Sequence, residues 1–196
     1  MTAVDSAAID TASHTGGSRW SRLSAWLHNR PSFWQAVLLL LAVLVIQLAW
    51  SVLGMVVVAM SSGPVAAPPI MRWLVLEAPI DHALMLMALG VAIEEIGFRL
   101  LPLGAALAIY KEYPGCGWLV ATIAVVSSVA FGLLHGLEWY RLMLQAVGGL
   151  LYAVVFLKVS GMDGAYWKRA IVATFALHLV FNSVILVGTR IAQTVA

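Results

Sequence analysis

Phe33 to Met60 reads FWQAVLLLLAVLVIQLAWSVLGMVVVAM. Its strong polar groups are Gln35 and Gln47, and it carries no charge. A run of 18 or more apolar residues with few charges is long enough to cross a bilayer as a helix. The run begins only after about 30 polar residues and far exceeds a signal-peptide core, so it reads as a retained signal anchor. The composition agrees: of 196 residues, 62% are hydrophobic and 10% charged, where a soluble domain carries about 25% charged residues.

Further apolar runs follow at about His82 to Ile109, Trp118 to His135, Trp139 to Leu157 and Ala170 to Val187. The expected fold is therefore all-α: a polytopic transmembrane helical bundle of about five spans, with an interfacial helix near the N-terminus. Residues 1–18, rich in Ala, Ser, Thr and Gly, read as a disordered tail. In residues 19–30, Trp20, Leu23, Trp26 and Leu27 recur at helical spacing among Arg19, Arg22 and Arg30, as in a short helix lying on an anionic membrane face. The organisation is a tail with its interfacial helix over 1–32, then the bundle over 33–196, with a functional core at about 82–187. Pro68-Pro69 stiffens the loop after span one. Lys158, Asp163, Lys168 and Arg169 read as the loop after span four.

The charges orient the chain. With the N-terminus cytoplasmic, the inner segments hold Arg19, Arg22, Arg30, Lys111, Lys158, Lys168 and Arg169, and the outer ones Arg72, Arg141 and Arg190. That bias predicts N-in, C-out topology, as in a bacterial cytoplasmic membrane. A net charge of +2 is too balanced to suggest nucleic acid as a partner. One cysteine, Cys116, excludes an internal disulfide. Rows of small residues, Ala83, Gly90, Gly97 and Gly104 in span two and Ser128, Gly132 and Gly136 in span three, predict close helix packing.

Span two holds Glu94-Glu95-Ile96-Gly97-Phe98-Arg99. One charge at the bilayer centre costs about 2.5–3.5 kcal/mol on insertion scales. Three within six residues must therefore face the bundle interior or a water-filled cavity. Glu95 and Arg99 are four apart, share a helix face and can pair. Glu94 is turned about 100° from Glu95. The spacing divides the roles: a paired, supporting Glu95 and a freer Glu94 suited to act as a general base. Pro102 adds a break, because it cannot donate to the Phe98 carbonyl. His135 ends span three, and His178 and Asn182 share a face within span five. Depth is the difficulty: His135 lies nearer the outer face than Glu94 and His178. The three meet if span three tilts or if the site lies in the outer half of the membrane. A carboxylate base, two imidazoles and an amide are the parts of a site for hydrolysis by water.

EExxxR at Glu94 to Arg99, FxxxH at Phe131 to His135 and HxxxN at His178 to Asn182 resemble, in order, the three motifs of the CPBP family. These are the CAAX-protease and bacteriocin-processing, or Abi-domain, intramembrane proteases. The resemblance covers about Glu94 to Asn182 and leaves out the tail and span one. It implies that Glu94 activates the water and that His135 positions or polarises it. It implies that His178 and Asn182 hold the oxyanion, and that Glu95 and Arg99 support the site. No cofactor is favoured. Zinc is the alternative, with Glu94, His135 and His178 as its three protein ligands, although no HExxH helix is present.

The function so implied is an intramembrane endopeptidase acting on a membrane-anchored protein or peptide within the lipid bilayer. A non-catalytic immunity or scaffold protein would keep the fold but tolerate loss of a motif residue, and none is lost. A small transporter also buries charges, but more often shows internal repeats, and none is apparent in this sequence.

Overall fold

A computed structural model describes residues 19–62, 73 and 77–195. The tail 1–18, most of the loop 63–76 with Pro68-Pro69 and Arg72, and the side chains of Trp20 and Leu23 lie outside the described residues. The helices are α1 (Arg19–His28), α2 (Phe33–Ser62), α3 (Ile80–Glu95), α4 (Leu101–Glu112), α5 (Gly117–Leu134), α6 (Trp139–Ser160) and α7 (Trp167–Val195). A π-helical turn, Ile96–Leu100, joins α3 to α4, and no strand occurs among the described residues.

Among the described residues, four helical stretches are long and apolar enough to cross a membrane: Phe33–Met60, Pro114–Leu134, Trp139–Ser160 and Trp167–Thr194. The expected second span is divided at the π turn into segments of 16, 5 and 12 residues that follow without a break. It nevertheless runs the height of the bundle. At one end Arg190 donates to the Ala78 carbonyl at 2.7 Å, just before α3. At the other, Tyr110 in α4 meets His28 at the end of α1. The last helix runs past the expected Val187 to Val195.

α6 is the central helix. Its Tyr152 and Val155 pack with Val43 of α2 and Leu177 of α7. Its Ala153, Phe156 and Leu157 pack with Leu103 and Leu107 of α4 and with Val120 and Ala124 of α5. The outward faces stay apolar: Leu38, Leu41, Val45 and Val52 of α2 are each more than half exposed. A surface of that kind suits hydrocarbon, in which only closed backbone structures such as helices can span.

Close approach differs from the expected pattern. In the seven-residue row Ala83 is fully buried against Leu186, but a Cβ at Gly90, Gly97 or Gly104 would meet nothing within 4 Å, so its glycines are not a tight packing face. The α5 row does pack: a Cβ at Gly132 would lie 3.0 Å from the Leu142 carbonyl oxygen. Gly136 serves the turn into α6 instead, at φ 140°, a backbone that side chains rarely adopt. On α6, Gly148 and Gly149 supply further close contacts, to Gln47 and to Ser128.

Lys158 is a helical residue, not a loop residue. It sits near the end of α6 at 6% exposure. Its ammonium donates to the Trp26 and Asn29 carbonyls and stands over the Trp26 ring. Carbonyls at the end of a helix lack partners within it, so Lys158 caps α1 and ties it to the bundle. Arg30 pairs with Asp163 beside the same junction. Burial pushes the Asp163 carboxyl up, but the Ala165 amide and the Arg30 guanidinium outweigh it and hold the group below the usual carboxylate range.

Candidate active site

The π turn directly follows the two glutamates. Leu101 donates its amide to the Ile96 carbonyl, five residues back, and Pro102, which has no amide hydrogen, follows at once. A π turn inserts an extra residue into the helix, and such turns concentrate at functional sites. Here it carries Arg99, whose Nη1 is 3.5 Å from Glu95 Oε1, with both side chains 1% exposed. The Arg99 guanidinium carbon stands 4.4 Å from the centre of the Phe131 ring and 5.2 Å from that of Tyr152. Two ring faces and one carboxylate replace the water that an exposed guanidinium would bind.

His178, from α7, bridges the two glutamates. Its Nδ1 lies 3.0 Å from Glu95 Oε1 and its Nε2 3.6 Å from Glu94 Oε2. His135 approaches the other oxygen, with Nε2 3.5 Å from Glu94 Oε1. Its Nδ1 donates to the Phe131 carbonyl at 2.8 Å. That bond answers the depth difficulty. Side chains at the end of a helix lean back toward its N-terminus, and the imidazole of His135 folds over the last turn of α5 to reach Glu94.

The acceptors decide the protons. A backbone carbonyl accepts only, and so does an ionised carboxylate. Each Nδ1 is therefore the N–H of its ring, and each Nε2 is turned to Glu94. Both Nε2 atoms stand off Glu94 by more than a closed hydrogen bond, at 3.5 and 3.6 Å. Glu94 is thus the freer carboxylate only with respect to arginine; it stands between two histidines. The cluster opens on one side. Glu94 and His135 side chains are 28% and 25% exposed, whereas His178 is 4% exposed.

The structure brings Glu94, Glu95, Arg99, His135 and His178 together. Asn182 lies one turn beyond His178 on α7, half-buried, and forms no hydrogen bond among the described residues. Phe131 contributes more than its motif position suggested: its ring contacts His135, His178 and Phe98 as well as Arg99. Tyr152 escaped the sequence reading. It is fully buried, and its ring lies 4.7 Å from that of His178 at 31°. The available signal was a phenol in the middle of an apolar span, one turn after Gly148.

Glu94, His135 and His178 are the donor types zinc takes, and a tethered Nδ1 is common in metal-binding histidines. Yet among the described residues no three His, Cys, Asp or Glu side chains converge on a point that could hold a metal ion. The donor set does not fit a metal as it stands, and no step below is routed through one.

A family model described as Type II CAAX prenyl endopeptidase Rce1-like matches residues 76–184. No curated protein and no solved structure gives a match. The matched segment covers more than half of the chain and contains all three motifs, in agreement with the resemblance read from them. The chain, an integral membrane protein by its apolar helices, belongs to the Rce1-like family of CAAX-type intramembrane proteases.

Proposed function

We propose that this protein is an intramembrane endopeptidase that hydrolyses a peptide bond of a membrane-anchored protein or peptide with water activated by Glu94. The observation that carries the reading is the position of Glu94: partly exposed, with one carboxylate oxygen toward each histidine Nε2. Water bound at the open side gives a proton to Glu94 as its oxygen attacks the carbonyl carbon. The Nε2 lone pair of His135 orients that water, because its Nδ1 proton is committed to Phe131. His178, carrying a second proton against Glu95, donates from Nε2 to the oxyanion, and Asn182 adds an amide donor. Glu94 then passes its proton to the leaving nitrogen as the C–N bond breaks. The products are one carboxylic acid, which keeps the second proton of the water, and one amine. Removing a single oxyanion donor costs about 10²–10³ in kcat.

Prenylated CAAX peptides are the first substrate to try, as the name of the matched family says; an unprenylated membrane-anchored peptide is the second. The basic residues support a cytoplasmic N-terminus, and the bundle suits a bacterial inner membrane. The test uses the full chain in liposomes with both peptides. Glu94→Gln and His178→Ala should each abolish cleavage while the protein inserts normally. Wild-type rates in both variants would overturn the assignment.

A further inference from the structure

Gln47 sits in the middle of α2, a helix the family match leaves out. It is one of the two strong polar groups of that span and is 5% exposed, although lipid-facing positions lie on the same helix. It points inward, to α6. There Gly148 has no side chain, and a Cβ in its place would lie 2.9 Å from Gln47 Nε2. One turn along α6 from Gly148 is Tyr152. The Gln47 carboxamide is a hydrogen-bonding neighbour of the Tyr152 hydroxyl, and among the described residues neither Gln47 Oε1 nor that hydroxyl has a closed hydrogen bond. In hydrocarbon an unbonded polar group is costly, and each is the partner at hand for the other.

The far side of Tyr152 carries the connection to chemistry. Its ring lies 4.7 Å from the His178 imidazole, tilted 31° to it, and its centre is 5.2 Å from the Arg99 guanidinium carbon. His178 can aim Nε2 at Glu94 only while its ring plane is held. The bond to Glu95 holds one edge of the ring, and a hydrogen bond tolerates rocking of the ring about Cβ–Cγ. A flat aromatic surface against the imidazole removes that freedom.

We infer that Gln47 and Tyr152 are positioning residues of the active site: Gln47 of α2 anchors the Tyr152 hydroxyl, and the Tyr152 ring sets the plane of His178. The inference rests on the role given to His178 above. It makes α2 part of the site although α2 supplies no reacting group, and it gives Gly148 a reason to be glycine.

The test compares Gln47→Leu, Tyr152→Phe, the double variant and Tyr152→Leu in the full chain. Two readouts are used: kcat and KM on a prenylated CAAX peptide in liposomes, and the nitrogen NMR signal of the His178 Nδ1–H, assigned by its loss in His178→Gln. Losing one neutral hydrogen bond should lower kcat about 3- to 10-fold in each single variant with KM nearly unchanged. The double variant should be no worse than either single, because the two groups form one contact. Tyr152→Leu should lose more than either and shift the His178 signal. Additive losses in the double variant, a rise in KM alone, or an unmoved His178 signal in Tyr152→Leu would overturn the inference. If the wild type cleaves no peptide, the protease reading fails and the NMR arm still decides this one.

Discussion

Replacing Arg99 with methionine should unfold more of this protein than any change on its lipid-facing surface. The structure sets the size of the effect. Arg99 and Glu95 are each 1% exposed and 3.5 Å apart, and the guanidinium carbon packs 4.4 Å from the Phe131 ring centre and 5.2 Å from that of Tyr152. Methionine keeps most of the side-chain volume but leaves Glu95 as a buried charge with only His178 to answer it. Removing one partner of a buried pair costs about 3–5 kcal/mol, whereas replacing the whole pair with well-packed neutral groups is often neutral or stabilising. Arg99→Met should therefore lose about 3–5 kcal/mol, and Glu95→Gln/Arg99→Met should recover most of that loss while remaining inactive. Unfolding by denaturing detergent, followed by circular dichroism, measures both. If Arg99→Met unfolds like the wild type, or if the double variant is as unstable as the single, the buried pair does not hold this part of the fold and the reasoning fails.

Three further outcomes follow from the same geometry. Gly132→Leu should destabilise by about 1–3 kcal/mol by overpacking against the Leu142 carbonyl, whereas Gly104→Ala, with open space at its Cβ, should be neutral or slightly stabilising in the same assay. His135→Ala should lower kcat by about 10²-fold or more if it orients the water, with circular dichroism unchanged; an equal loss of helix would instead make it structural. Lys158→Met should release α1 by removing two charge-assisted hydrogen bonds to its last carbonyls, so amides of residues 19–29 should exchange hydrogen faster while those of α6 do not.

The parts of the structure that were legible in the sequence are those governed by local chemistry. Apolar length alone gave α2, α5 and α6 within a few residues, and placed α7 but ended it eight residues early, at Val187 instead of Val195. The i, i+4 spacing gave the Glu95–Arg99 pair, and the cost of burying charges in lipid put both inside the bundle. What could not be read depends on neighbours far along the chain. Lys158 looked like a loop cation because the carbonyls that receive it belong to α1, some 130 residues earlier. The glycines from α3 through the π turn to α4 looked like a packing face, but a Cβ at any of them would meet nothing within 4 Å, whereas Gly148 and Gly149 do meet neighbours. How His135 reaches Glu94 could not be read because helix rise places the backbone, not an imidazole hydrogen-bonded back to the Phe131 carbonyl. Tyr152 and Gln47 were silent for the same reason: a phenol and an amide in apolar spans acquire meaning only when α2, α6 and α7 are packed.

The central claim is that Glu94 activates water and does not itself attack the substrate. Single-turnover cleavage of a prenylated CAAX peptide in heavy-oxygen water tests it most directly, with enzyme in excess and the new C-terminus read by mass spectrometry. The account predicts one heavy oxygen in that carboxylate at the first turnover, and no product from Glu94→Gln. Product carrying only light oxygen, or Glu94→Gln cleaving at the wild-type rate, would contradict it.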